Sequence, residues 1–162
     1  MTDLERCYIA AMRILGHRFN SETELRRKLA AKRFERDVVD ATIEKLRREK
    51  WLDDERFAGA FVRTRTAKKI GRGRLRRELQ AVGVADEIAD RAIRENDDPE
   101  REAADLRAVA AKRLRMLERR YGSDVLQTPE GRKKLAAYLL KQGYDAALIR
   151  SVVKEISIAD DE

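Results

Sequence analysis

The 162-residue sequence predicts an all-α protein in which three tandem three-helix repeats form an extended, curved string. Three observations support this fold class. Eight glycines and two prolines leave few breaks in a chain rich in strong helix formers. No segment alternates apolar and polar residues with β-branched enrichment, so no strand is expected. One apolar pattern also recurs three times, which is typical of stacked repeats.

The repeated pattern starts at a leucine and continues 4, 9, 14, 18 and 21 residues later. Its three copies are Leu25, Leu29, Phe34, Val39, Ile43 and Leu46; Leu75, Leu79, Val84, Ala89, Ile93 and Asn96; and Leu135, Leu139, Tyr144, Ile149, Val153 and Ile156. All are apolar except Asn96. The first two positions mark one helix face, and the last three mark the face of the next helix. A further amphipathic helix precedes each copy, which divides the chain into repeats at 1–52, 53–98 and 99–162.

Capping residues predict where the helices begin and end. The first repeat has helices at 3–15, 21–33 and 35–50, with a capping box from Ser21 to Glu24. The second has helices at 53–69, 72–82 and 85–98, with Asp53 as a cap and Gly83 at a left-handed helix end. In the third, Pro99 and Pro129 start helices at 99–121 and 130–142, and Gly143 precedes the last helix, 145–162. A nine-helix globule is the alternative, because no long linker separates the repeats.

Charge is distributed unevenly among the helices. The formal net charge is +7, yet the middle helix of every repeat carries about +3. The third helices carry 0, −4 and −3 over the ranges 35–50, 85–98 and 145–162. A solvated helix usually mixes its signs through pairs four residues apart. If the repeats stack in like orientation, this separation therefore predicts a basic side that binds an anionic partner and another side that is acidic.

The candidate binding residues are the basic side chains of the middle helices and of the segment before the second one. They are Arg26, Arg27, Lys28, Lys32, Arg63, Arg65, Lys68, Lys69, Arg72, Arg74, Arg76, Arg77, Arg132, Lys133 and Lys134. Gly71 and Gly73 interrupt the densest run and favour close approach of a phosphate to the backbone. Aromatic residues are too few to predict a base-stacking platform.

Catalytic and metal-binding patterns are missing from the sequence. His17 has no partner at ligand spacing and is expected on the surface, whereas Cys7 is expected to be a small buried hydrophobe. The acids from Asp53 to Glu55 are explained by helix capping. Trp51, Phe57 and Phe61 are expected to be core anchors. Neither an enzyme activity nor a cofactor is expected, and a single cysteine without a signal or membrane-spanning segment favours the cytoplasm.

Several segments together resemble the RecX family of bacterial recombination regulators. The most specific runs from Trp51-Leu52-Asp53-Asp54-Glu55-Arg56-Phe57-Ala58 through Ala60-Phe61-Val62-Arg63. It continues in Gly73-x-Leu75-Arg76-Arg77-Glu78-Leu79, followed by Gly83-Val84. Ser21-Glu22-x-Glu24-Leu25-Arg26-x-Lys28-Leu29 also looks like the first repeat of that family, and the resemblance covers about 6–156. Arg33 stands where a turn glycine is usual, and Trp51 where tyrosine is commoner.

The resemblance implies a function without chemistry. Proteins of this family bind the RecA recombinase on its DNA filament and restrain its ATPase, strand-exchange and coprotease activities, which affects DNA repair, recombination and the SOS response. It therefore implies RecA and its filament as partners. The basic helices predict weak, sequence-independent binding of single- and double-stranded DNA, and no apolar stretch predicts membrane association. A monomer is expected. The alternative is an architectural or regulatory protein that binds DNA directly. The role of the acidic end from Asp160 to Glu162 is left open.

Overall fold

The computed structural model describes residues 1–159, and nearly all secondary structure in this range is α-helical. The helices are α1 (Asp3–His17), α2 (Glu22–Ala31), α3 (Arg36–Arg48), α4 (Asp54–Thr66), α5 (Arg72–Ala81), α6 (Asp86–Glu95), α7 (Pro99–Tyr121), α8 (Pro129–Lys141) and α9 (Ala146–Ala159). A short 3₁₀-helix, Val125–Gln127, lies between α7 and α8. No strand occurs within residues 1–159, which confirms the all-α helical-repeat prediction. The acidic end at 160–162 lies outside the described residues.

The helix starts follow the predicted capping chemistry. Ser21 and Glu24 form the expected capping box on α2. The carboxylate of Asp53 accepts hydrogen bonds from the N–H groups of Glu55 and Arg56 at 3.0 and 3.1 Å. Asp98 and Thr128 cap α7 and α8, each followed by proline in the first turn. No helix among residues 1–159 is long and apolar enough to cross a membrane.

Contacts divide the chain into two compact units. The first contains Met1–Val62 and Glu78–Glu95, and the second contains Arg63–Arg77 and the chain from Asn96 onward. Parts of the second repeat therefore belong to each unit. The repeat borders at 1–52, 53–98 and 99–162 are a division of the sequence and stay a prediction.

The buried side chains follow the predicted repeat closely at its start and less closely at its end. Positions 0, 4 and 14 are buried in all three copies, as Leu79 and Ala89 show in the second. At the end of the second and third copies, the predicted positions are only half-buried. The residue 17 positions after the leading leucine is buried in every copy: Thr42, Ala92 and Val152. In the second and third copies, the third helix therefore turns a slightly different face inward than predicted.

Within the first unit, the turn before α6 packs on the start of α2. The Ser21 hydroxyl donates a hydrogen bond to the carbonyl of Val82, and the Thr23 hydroxyl donates one to the carbonyl of Gly83 at 3.3 Å. Gly83 has a φ of 79°. A Cβ there would lie 2.4 Å from the Cβ of Thr23. Both the backbone conformation and the close packing therefore require glycine.

The same contact recurs within the second unit, where Gly71, 50 residues after Ser21, lies at the start of α5. Gly71 and Gly73 donate backbone hydrogen bonds to the carbonyls of Gln142 and Gly143, both at 2.9 Å. Gly143 has a φ of 94°, and a Cβ there would lie 2.2 Å from the backbone nitrogen of Arg74. Gly71 has no side chain to cap α5, so the carbonyls of this turn accept from N–H groups at the helix start that would otherwise lack partners. We call these two contacts the turn contacts.

Arg33 in the first repeat and Gly131 in the third are equivalent to residues of the turn contacts, but their neighbours differ. Arg33 corresponds to Gly83 and Gly143; its φ is 66°, so the left-handed turn is kept with a side chain present. Gly131 corresponds to Ser21 and Gly71. A Cβ at Gly131 would lie 1.8 Å from the carbonyl oxygen of Val125, so the 3₁₀-helix of the same repeat occupies that place.

Three further sequence expectations have clear outcomes. Cys7 is fully buried, and His17 is exposed at the end of α1, as predicted. Phe57 is buried, but Trp51 is 56% exposed, so its expected role as a core anchor is wrong. Trp51 follows α3 in a turn whose preceding residue, Lys50, has a φ of 59°, and Leu52 is the buried residue beside it.

Candidate nucleic-acid interface

On α2, the predicted basic residues divide into two kinds. Arg26 lies between Glu22 and Asp40 and forms an ion pair with each, so its charge is largely neutralised. Lys28 donates to the side-chain oxygen of Asn20 at 2.6 Å. Arg27 and Lys32 are exposed and form no ion pair within residues 1–159. Of the predicted residues in this segment, these two are available to a partner; Arg27 lies on α2, and Lys32 directly follows the helix.

Several arginines around the start of α5 hold the chain itself. Arg72 contacts the carboxylates of Asp97 and Glu102, at 2.5 and 2.9 Å. Arg74 donates to the side chain of Gln142 at 2.7 Å, and Arg77 donates to the carbonyl of Lys141 at 3.1 Å. The latter two therefore fasten the turn contact of the second unit.

The neighbouring glycines have a different role from the one we predicted. Gly71 and Gly73 allow close approach of the 142–143 backbone rather than of a phosphate. A Cβ at Gly71 would lie 2.3 Å from the carbonyl carbon of Gly143. Their spacing among arginines is explained by the turn contact.

The remaining predicted residues are distributed over the end of α4, the α4–α5 loop, α5 and α8. Arg63, Lys68, Lys69 and Arg76 are exposed, and Arg65 is half-buried. On α8, Arg132 donates to the carbonyl of Leu126 at 2.8 Å, Lys133 is exposed, and the Lys134 ammonium lies 5.5 Å from the ring centroid of Tyr121.

Six of the fifteen predicted cations are exposed and make no side-chain hydrogen bond or ion pair within the described range. We call them the open cations: Arg27, Lys32, Arg63, Lys68, Lys69 and Lys133.

Two carboxyl groups beside α2 have shifted pKa values. Burial raises the pKa of Asp54 above its ordinary 3.8, and the charge of Glu22 adds to this, although Asp54 also accepts the Glu22 N–H at 2.9 Å. Burial alone would raise the pKa of Glu24. The Arg18 guanidinium, at 2.8 and 3.1 Å, and the Ser21 N–H together outweigh burial and lower it.

The acids from Asp53 to Glu55 each have a structural partner. Asp53 caps α4, Asp54 accepts from the backbone at the start of α2, and Glu55 pairs with Arg91 at 2.8 Å. Within residues 1–159, no group of three or more His, Cys, Asp or Glu side chains is placed to hold a metal ion.

The structure also brings together a basic and aromatic pocket that the sequence reading missed. It lies between α7 and α8, has a volume of about 510 Å³ and contains Tyr121 and Tyr138 with four cations. Arg113 and Arg120 are seven residues apart on α7, and Lys134 and Lys141 are seven apart on α8. This spacing places each pair on one helix face, which was a detectable signal. We name it the α7–α8 pocket.

The comparisons with known proteins agree over most of the chain. Residues 7–46 match the RecX first three-helix domain, and residues 53–93 match the RecX second three-helix domain. The chain is 33% identical to the regulatory protein RecX of Prosthecochloris aestuarii over 156 residues, which cover 96% of each chain. It is 32% identical to that of Haemophilus influenzae over 145 residues, 89% of each chain.

Solved structures support the same fold. The crystal structure of RecX from Lactobacillus salivarius aligns with a TM-score of 0.80 and 23% identity, covering 96% of this chain and 97% of that one. A second crystal structure of a regulatory protein RecX aligns with a TM-score of 0.81 and 21% identity, covering 93% of this chain and 71% of that one. At these identities the likeness concerns the fold.

Proposed function

This chain belongs to the RecX family, and we propose that it is a non-enzymatic negative regulator of a RecA-type recombinase. It binds the recombinase on its DNA filament in the cytoplasm and restrains ATP hydrolysis, strand exchange and coprotease activity. The observation that carries this proposal is similarity to regulatory RecX proteins over 96% of the chain.

The charge distribution supports a partner composed of both DNA and protein. The open cations supply long, flexible positive groups of the kind that contact phosphates. α6 presents acids that suit basic groups on a protein: Glu87 and Glu95 are exposed and form no ion pair within residues 1–159. A filament of protein wound on DNA presents both kinds of surface.

A direct DNA-binding function is the second candidate. It is favoured by one observation: the open cations need no protein partner to bind phosphates. Under this candidate, RecA activity falls only because the strand is covered.

The two candidates are separated by the ATPase activity of RecA on single-stranded DNA while the protein is titrated in. Regulation of the filament predicts inhibition well below one protein per RecA protomer. Competition for DNA predicts inhibition only at amounts that saturate the DNA, and excess DNA should then reverse it. No inhibition at DNA-saturating amounts would contradict both candidates.

The charge-reversal variants for this assay should spare the arginines that hold the fold. Arg72, Arg74 and Arg77 have structural partners, so their replacement would test stability as much as binding. Arg27→Glu with Lys32→Glu changes only open cations. Arg13→Glu with Arg48→Glu is the matched control, because both arginines are exposed on other helices of the same unit and the change in net charge is identical.

A further inference from the structure

The α7–α8 pocket is positively charged without compensation. Arg113, Arg120, Lys134 and Lys141 line it, and no acid does. None of the four forms an ion pair within residues 1–159, and the buried Nε of Arg113 has no hydrogen-bond partner. Elsewhere in this unit, Arg72 and Arg107 pair with nearby glutamates at 2.9 and 3.0 Å. Four unpaired cations around one cavity repel one another, so an anionic occupant is favoured.

The pocket also offers flat aromatic surface. Tyr121 is 48% exposed, and the guanidinium of Arg120 and the ammonium of Lys134 lie 5.4 and 5.5 Å from its ring centroid. The guanidinium of Arg113 lies 4.6 Å from the ring centroid of Tyr138. Both tyrosine rings and arginine planes stack well on nucleobases.

Anionic charge and a flat ring are combined in a nucleotide. A volume of about 510 Å³ is large enough for a base with its phosphate. Bases in a duplex are stacked on one another, so their faces are not available to a protein side chain. An acidic peptide would neutralise the cations equally well but would make no specific use of two tyrosines.

We propose that the α7–α8 pocket binds unpaired nucleotides of single-stranded DNA, with a base stacked on Tyr121 and phosphates on the surrounding cations. This proposal rests on the proposed function, because the recombinase filament would supply the single-stranded DNA. The small number of aromatic residues in the sequence did not indicate this site, because helix packing brings together two tyrosines that are 17 residues apart.

The test measures the anisotropy of a labelled 20-nucleotide oligo-dT, an abasic strand of equal length and a 20-base-pair duplex, with the full chain and no recombinase. We expect the wild type to bind oligo-dT at least fivefold more tightly than the abasic strand, since stacking of one base usually contributes a fivefold to 100-fold gain, roughly. Tyr121→Ala should abolish this ratio, and Tyr121→Phe should keep it.

Two matched controls separate the pocket from the rest of the surface. Phe19 is 55% exposed and lies 5.4 Å from the guanidinium of Arg56, so Phe19→Ala removes the same chemistry from the other unit and should leave the ratio unchanged. Arg120→Gln with Lys134→Gln should weaken binding of all strands. Lys112→Gln with Arg115→Gln alters two exposed cations of α7 outside the pocket and should weaken binding much less.

Equal wild-type affinity for oligo-dT and the abasic strand would overturn the proposal, as would an unchanged ratio in Tyr121→Ala. A labelled poly-glutamate 12-mer that binds more tightly than oligo-dT, and that loses affinity in the Arg120 and Lys134 variant, would assign the pocket to an acidic peptide instead. Because no recombinase is present, base-selective binding can hold or fail independently of ATPase inhibition.

Discussion

Ser21 and Gly71 lie at the same position of successive repeats, and each contacts the turn that follows the middle helix of the next repeat. Ser21 does so with its hydroxyl, which donates to the Val82 carbonyl, and Gly71 does so with its backbone N–H, which donates to Gln142. One packing geometry is thus maintained by two different chemical groups. The glycines at 83 and 143 are the shared requirement.

Gly143→Ala should destabilise the second unit by about 2 kcal/mol or more, because alanine is strained at a φ of 94° and its Cβ would meet the backbone of Arg74. Urea unfolding followed by circular dichroism measures this. Gly16→Ala is the control: nothing lies within 4 Å of that position, and alanine in a helix should stabilise by up to about 1 kcal/mol. Similar changes in the free energy of unfolding for both variants would contradict a stabilising role for the turn contact.

Leu79→Asp should lower the free energy of unfolding by about 3 kcal/mol or more, because a charge would replace a fully buried side chain without a partner. Leu140→Asp provides the comparison. That leucine is 47% exposed, so the change should stay within about 0.5 kcal/mol. A wild-type-like thermal transition in the Leu79 variant would contradict the repeat alignment.

Asp54 and Glu24 should respond to pH in opposite directions. The raised pKa of Asp54 means that its contribution to stability is full below its ordinary value of 3.8 and is lost as the pH rises through the folded-state pKa. Asp54→Asn keeps an acceptor for the Glu22 N–H and removes the charge. At pH 7 the variant should be at least as stable as the wild type, with the difference shrinking as the pH falls toward that ordinary value.

The lowered pKa of Glu24 means that its contribution is full above its ordinary 4.5 and is lost as the pH falls through the folded-state pKa. Glu24→Gln should therefore cost about 1 kcal/mol at pH 7, since Arg18 is 54% exposed and solvent screens the pair. The deficit should disappear at acid pH. Denaturant titrations at several pH values measure the stability of both variants relative to the wild type. If this difference changes with pH in the same direction for both, the opposite pKa shifts of Asp54 and Glu24 are wrong.

Naked DNA binding should be weak and steeply salt-dependent, with a log–log slope of about −0.7 per neutralised phosphate on single strands. Arg27→Glu with Lys32→Glu should reduce affinity and flatten this slope, whereas Arg13→Glu with Arg48→Glu should do so less. Affinity that is equal at low and physiological salt would exclude the open cations from binding.

Reversal of the α6 acids separates DNA affinity from inhibition. Glu87→Lys with Glu95→Lys raises the net charge, so affinity for naked DNA should rise while inhibition of RecA ATPase falls. Opposite movement of the two cannot come from simple competition for DNA. Inhibition that increases in step with DNA affinity would favour the direct DNA-binding candidate.

The sequence predicted the helices and most of the core because both depend on local patterns. The capping residues Asp53, Asp98 and Thr128 act within their own helices, so spacing alone reveals them. The inward position of Thr42 was missed because threonine is polar, and its hydroxyl is satisfied by the carbonyl of Val38 at 2.8 Å. Arg74 and Arg77 are held by groups 68 and 64 residues away, so no local pattern separates these two arginines from the open cations.

The surroundings of Arg33 and Gly131 set how many repeats such a chain accommodates. A fourth repeat added after the third would need its turn to reach the start of α8, where the carbonyl of Val125 already lies; the 3₁₀-helix would have to be removed first. A repeat added before the first would need glycine in place of Arg33, because the equivalent turns tolerate no Cβ. Both ends of the array are thus closed to extension by local features, and an engineered longer array would have to change both.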